Sequence, residues 1–182
     1  VAFLVVYDAC AMYGSTVRNL LLRLTGTGLV QAKWTAQILD ELDRALDRRA
    51  IPEDKRNRLR RLITTAFPDG LVTGYEPLVD GLKLPDPDDR HVLAAAITAG
   101  AQVIVTANLK DFPSHYLQDW EIQAKSPDDF VLDLIGINSR AVHRCVQQIV
   151  AERRNPPETF EDVLNQLERG GLIETAATLR LW

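Results

Sequence analysis

The sequence predicts an α/β protein: a Rossmann-like, three-layer domain with a mainly parallel central sheet, followed by a helical C-terminal extension. Three observations carry this. Phe3–Tyr7 (FLVVY) and Gln102–Thr106 (QVIVT) are continuous apolar runs rich in β-branched residues, the pattern of strands buried on both faces. The segments between them have helical spacing, so strands alternate with helices. Beyond about Ser126 the strand pattern stops and only capped helical segments follow.

Each element has a local reason. Asp8 ends the first strand directly. Over Thr16–Leu24 the apolar residues Val17, Leu20, Leu21 and Leu24 share a helix face, and Gly26 and Gly28 end it. Thr35 is an N-cap for a helix to about Arg49, Ile51-Pro52 breaks the chain, and a third helix reaches about Phe67. Pro68-Asp69-Gly70 is a turn, and Leu71–Thr73 is a short strand candidate. Leu84–Asp89 is a loop feeding a helix over Arg90–Ala99, closed by Gly100. Asn108–Asp111 is a loop after the second buried strand, and Trp120–Gln123 is the expected edge strand. In the extension, Ser126 caps a helix to about Ile135 and Asn138 caps a longer one to about Arg154. Asn155-Pro156-Pro157 breaks it, and Thr159 with Asp162 starts a helix that ends at Gly170-Gly171. The expected division is residues 1–125 and 126–182.

Composition narrows the function classes. With 46% hydrophobic and 25% charged residues, the chain reads as an ordinary soluble globular protein. No stretch approaches the roughly 18 uncharged apolar residues of a membrane span. Val1–Tyr7 lacks a basic start and a cleavage site, so it reads as a core strand and not a signal peptide. Cys10 and Cys145 are too few for a disulfide framework and are expected to be reduced thiols in a cytoplasmic protein. The net charge of -4 is unevenly spread: residues 44–61 hold eight Lys/Arg against three acids, a net +5, leaving -9 for the rest. Such asymmetry can guide a polyanion toward an acidic centre; a solvated Arg-rich helix face is the plainer explanation.

The acids converge by topology. Ligands of open parallel sheets bind beyond the carboxyl ends of the strands. One buried strand ends in Asp8; the other ends in Thr106-Ala107-Asn108, with Asp111 close behind. Asp86, Asp88 and Asp89 begin the helix that leads into the second strand, and a right-handed crossover puts that helix start at the same edge. Clustered carboxylates repel one another unless some are protonated or a cation sits among them. Oxygen donors without His or Cys favour a hard ion such as Mg²⁺ or Mn²⁺. Asp86-Pro87-Asp88-Asp89 is also simply a good helix start. Glu41 and Asp43 lie at opposite margins of an apolar helix face, and periodicity does not choose between them.

Taken together, the motifs resemble the PIN-domain family. They are VVYDA with Asp8, TAQILDEL with Glu41, DPDDRHVLAAAITAGA with Asp89, and VIVTANLKDFP. The last two, nearly continuous from Leu84 to Pro113, look like the VapC-like toxin subgroup whose PIN-like domain carries a helical extension. The resemblance implies an endoribonuclease that uses Mg²⁺ or Mn²⁺, with Asp8 and Asp89 as principal metal ligands. It selects Glu41 as metal-binding or water-activating. Family members commonly carry an Asp two residues after the Thr of the last motif; here that residue is Asn108, and Asp111 is the candidate replacement. Thr106 would orient the acids, and Asp86 would support or cap. Tyr13 and Arg18 follow the first acid and are candidates for contacting RNA; a core-edge Tyr and a surface Arg are the plainer alternative. Implied partners are RNA, a cognate antitoxin and a second copy of the chain, with the apolar first helices as the dimer surface.

Two rival classes remain. A PIN fold that has lost turnover would serve as an RNA- or protein-binding module, with Asn108 as the symptom. Small-phosphate enzymes fit less well. A haloacid-dehalogenase-like phosphatase needs a second Asp where Cys10 stands, and a nucleotide-binding Rossmann domain needs a glycine-rich turn that Ala9–Gly14 does not supply. His91 and His115 lack metal-ligand spacing and read as ordinary polar positions, and Trp34 and Trp120 as core or interface aromatics.

Overall fold

Four short parallel strands form the centre of the structure, a computed structural model that describes residues 2–182. Val1, the expected start of the first domain, lies outside the described residues. The strands are β1 (Phe3–Tyr7), β2 (Val30–Lys33), β3 (Val103–Val105) and β4 (Gln123–Lys125), in the order β2-β1-β3-β4. Every neighbouring pair is parallel, so all four carboxyl ends share one edge. Val5, Val6, Tyr7, Ile104 and Val105 have no exposed surface, as expected of central strands covered on both faces.

The two apolar runs are the two central strands, as predicted. The flanks differ. β2 has no counterpart in the sequence pattern: VQAK alternates buried Val30 and Ala32 with exposed Gln31, and four half-polar residues give little signal. Leu71–Thr73 is not a strand; it contributes one bridge, with Trp34 N donating to Gly70 O and Val72 N to Trp34 O. The edge strand lies later than expected, because Trp120 closes a 3-10 turn and Glu121 reverses the chain at φ 55.

Helices α1 (Ser15–Thr25), α2 (Ala36–Arg48), α3 (Glu53–Ala66), α4 (Glu76–Val79), α5 (Arg90–Ala99) and α6 (Ser114–Leu117) surround the sheet. Thr35 caps α2 by accepting from Ile38 N at 3.0 Å, worth about 1 kcal/mol. Gly100 ends α5 in the left-handed region, at φ 70, where glycine carries no side-chain penalty.

The extension is α7 (Pro127–Glu152), α8 (Phe160–Arg169) and α9 (Ile173–Leu179). The two helices expected on either side of Asn138 are the two arms of α7, joined across a kink: Asn138 is non-helical, and its side chain caps the second arm by accepting from Ala141 N at 3.1 Å. The extension packs back on α1. Phe130 meets Tyr7 edge-on at 6.0 Å, and Thr16 donates to Gln166 at 2.7 Å. Asp128 accepts from the backbone of Glu174 and Thr175, tying the first turn of α7 to that of α9. One hydrophobic core runs through sheet and extension. The apolar face of α1 (Val17, Leu20, Leu21, Leu24) is therefore buried, with α7 and α8 against it, and α2 likewise buries Ile38, Leu39 and Leu42. Those faces do not supply the dimer surface expected of them.

Trp34 is fully buried and packs edge-on against Phe67 at 6.0 Å. A Cβ on Gly70 would come within 2.4 Å of the indole. Because that ring has nowhere to go, Gly70→Ala is expected to destabilise the protein by about 1–3 kcal/mol. Urea unfolding measures this, and an unchanged midpoint would show that the ring can shift.

Candidate active site

The sheet order changes direction between β1 and β3, the kind of switch point at which open parallel sheets bind ligands. Asp8 and Thr106 are the residues that follow those two strands. Asp8 N continues the ladder by donating to Val105 O at 3.0 Å. Asp8 is only 5% exposed. Oδ2 accepts from Thr106 Oγ1 at 2.9 Å and from Cys10 Sγ at 3.1 Å. Thr106 Oγ1 accepts from Asn108 N at 3.1 Å, and Cys10 Sγ from Ala107 N at 3.3 Å. Burial pushes the Asp8 carboxyl up, and the charge of Glu41 adds to that; the Cys10 and Thr106 hydrogen bonds oppose them. A bond such as Thr106 to a carboxylate is worth about 1.5–3 kcal/mol. Burial, then the Asp8 charge, pushes the Cys10 thiol up to about 12, so it stays protonated and donates.

Glu41 enters from α2. Its neighbours are engaged elsewhere: Asp40 pairs with Arg60 at 2.6 Å and Asp43 with Arg56 at 3.1 Å, both on α3. Packing thus separates Glu41 from Asp43, which periodicity left open. Glu41 Oε1 lies 2.7 Å from His91 Nε2. His91 is not the ordinary polar position expected: it is 3% exposed, and its ring N–H does not point along that contact. The contact is close and polar without being an aligned hydrogen bond.

Asp89 is part-buried in the 3-10 turn Pro87–Asp89 that leads into α5. Its carboxyl is pushed up to about 7, first by burial and then by the charges of Asp8, Asp86, Asp111 and Glu41. Four of the acids singled out from the sequence therefore act on one carboxyl. Asp86 also caps, accepting from Asp88 N at 2.9 Å. Asp111 closes the turn Leu109–Asp111, while Asn108 is exposed and its side chain makes no capping bond.

Among the described residues no three acidic, His or Cys side chains converge tightly enough to clasp one ion. Mg²⁺ does not require that, since it keeps several waters and binds through one or two carboxylates together with substrate phosphates. The repulsion borne by Asp89 is what a cation would relieve, so this all-oxygen donor set fits a hard divalent ion.

Tyr13 follows the 3-10 turn Ala9–Met12 that begins beside Asp8. Arg18 donates to the carbonyls of Met12 and Tyr13 at 2.9 and 3.4 Å. A groove of about 1270 Å³ lies elsewhere, between Phe3, Val103, Phe112, Ile122 and Ile137, and none of the clustered acids lines it. Sequence reading missed Cys10 as a donor to Asp8 and His91 as the neighbour of Glu41. The one hint of the latter was its place at the head of the apolar run HVLAAA.

Residues 4–110 match the family model described as PIN domain, and residues 127–181 match that described as VapC50 C-terminal domain. The chain is 39% identical over 108 residues to a Mycobacterium tuberculosis protein described as "Putative ribonuclease VapC50". The matched stretch covers 57% of this chain and 63% of that relative, so the chain spans less than two thirds of it. No solved structure matches.

The raised Asp89 carboxyl has a thermodynamic consequence. Its folded-state pKa of about 7 lies above the unfolded value of about 3.9, so the unfolded state holds fewer protons between them. Metal-free protein should lose stability as pH rises from about 4 through about 7. In chelator, Asp89→Asn should raise Tm at pH 8 and leave it unchanged at pH 3. A variant with the wild-type pH dependence would show that Asp89 does not carry the repulsion.

Proposed function

Because the chain belongs to the PIN-domain family, we propose that it is a metal-dependent endoribonuclease that hydrolyses RNA phosphodiester bonds, acting as the toxin of a type II toxin–antitoxin pair. The observation that carries this reading is the Asp89 carboxyl, burdened by four other acids at the switch point of a parallel sheet. The name of the Mycobacterium tuberculosis relative, a ribonuclease, supports the same class.

On this reading Asp8 and Asp89 are the principal ligands of Mg²⁺ or Mn²⁺, with Glu41 and Asp111 completing the set. The bound ion supplies charge for the phosphodiester and lowers the pKa of a water. The chain's own residues do the rest. Thr106 and Cys10 fix the Asp8 carboxylate so that it needs no reorientation. His91 lies beside Glu41 Oε1, and the Glu41 carboxylate is the group that would accept the proton of the attacking water. Asp111, which acts on Asp89, fills the place that Asn108 leaves without a carboxylate. That favours an enzyme over a binding module that has lost turnover. Asp86 caps its turn and adds negative charge.

We take residues 1–125 as the catalytic unit and 126–182 as the extension. The partners on this reading are RNA, an antitoxin that silences the centre, and a second copy joined through a surface other than the buried faces of α1 and α2. Among the described residues no helix is long and apolar enough to cross a membrane, and we place the activity in the cytoplasm.

Asp8→Asn and Asp89→Asn are each expected to lower RNA cleavage by about 10²–10³-fold, the scale of losing one charge-stabilising group. Asp111→Asn should approach that loss, whereas Asn108→Ala should change little. Mapping RNA 5′ ends after a pulse of expression reads this out. The absence of any new end unique to the wild type, against Asp8→Asn, would defeat the proposal.

A further inference from the structure

Around the corner from the acids lies a pocket of about 320 Å³ whose walls include Tyr13, Ser15, Arg18, Arg49 and Lys55. It sits at the junction of α1, the end of α2 and the start of α3, beside the segment that carries the net +5. Arg56 also lines it, but Asp43 and Asp47 already neutralise that side chain at 3.1 and 2.8 Å. Arg18, Arg49 and Lys55 differ. Among the described residues no carboxylate lies within ion-pair distance of any of them.

Two of these cations converge. Arg18 Nη1 and Arg49 Nη1 both donate to the carbonyl of Tyr13, at 3.4 and 2.8 Å. The Arg49 guanidinium also lies 5.7 Å from the centre of the Tyr13 ring. Burial, then the charge of Arg49, holds the Arg18 guanidinium below the usual arginine range. Like charges drawn to one neutral acceptor are costly unless an anion joins them. Guanidinium forks suit phosphate oxygens in particular, because they can donate two parallel N–H bonds.

The position relates the pocket to the acids. Only the 3-10 turn Ala9–Met12 separates Asp8 from Tyr13, so at about 2 Å per residue the two lie about 10 Å apart along it. Burial pushes the Tyr13 phenol up; the charges of Asp8 and Glu41 push the same way and that of Arg48 opposes them, so Tyr13 feels both the acids and the basic segment. Its ring also offers an aromatic face on which a base can stack.

We propose that the Arg18–Arg49–Lys55 pocket binds a backbone phosphate of the RNA strand on a nucleotide neighbouring the one cut, with Tyr13 as the wall between the two sites. The pocket sets where the strand lies across the acids and takes no part in the bond-breaking step. The assignment of RNA as the ligand rests on the ribonuclease reading above.

The test separates binding from cleavage. A single-stranded RNA oligonucleotide is titrated in chelator, at several salt concentrations, into the wild type, Arg49→Ala, Lys55→Ala and, as a basic control on α3, Arg61→Ala. The two pocket variants should bind more weakly, and the slope of log affinity against log salt should fall by about 0.7 for each phosphate no longer neutralised. Arg61→Ala should match the wild type. With Mg²⁺ present, the pocket variants should raise KM more than they lower kcat. Lys55 is an exposed side chain, so its variant keeps the test open if Arg49→Ala does not fold. Pocket variants indistinguishable from Arg61→Ala would overturn the proposal. So would variants that bind RNA normally but lose an acidic peptide such as oligoglutamate. Wild-type protein that binds RNA through Arg49 and Lys55 but never cuts it would defeat the ribonuclease reading and leave the pocket standing.

Discussion

A carboxylate sealed at the ends of two parallel strands is costly unless donors face it. Here Asp8 is met by Thr106 from the neighbouring strand and by Cys10 from its own turn. Much else is arranged around that meeting. It requires β1 beside β3, and that adjacency creates the switch point. Cys10 faces inward because the chain leaves β1 in a tight 3-10 turn, and the same turn delivers Tyr13 to the rim. Glu41 and Asp89 then approach a fixed floor from two different helical segments.

The charge pattern follows from that floor. A rigid, buried acid cannot swing away from its neighbours, so repulsion accumulates on the part-buried one that can still pick up a proton, Asp89. The basic segment is similarly uneven. Arg56 and Arg60 are satisfied by the acids of α2, which ties α3 to it, while Arg18 and Arg49 share a peptide oxygen. Arginines within one region thus divide into those that hold helices together and those left with donors to spare.

What the sequence made legible follows from how strongly each element depends on its own residues. FLVVY and QVIVT are buried on both faces, so their composition announces them. VQAK is held in place by β1 and needs no such composition, so nothing in it signals a strand. Asn138 was readable because a cap acts locally, and it marks the kink in α7. At the site, Asp8 was visible as an acid that directly ends a buried apolar strand. Spacing alone did not divide Glu41 from Asp43, because Asp43 is engaged by Arg56 on another helix. Cys10 and His91 stayed hidden for a related reason. A small thiol and an imidazole beside apolar runs look like packing until the partner across the fold is known.

The hydrogen bond from Thr106 to Asp8 spans 98 residues of chain. A ribosome releases the acid first and its holder much later, and the helices that cover α1 later still. β1 can pair with β2 early, but the switch point does not exist until β3 emerges beside it. Translation therefore imposes an order of assembly on this molecule. The partly made chain carries its acids unseated, and the centre forms only after the greater part of the polypeptide has left the machine that makes it.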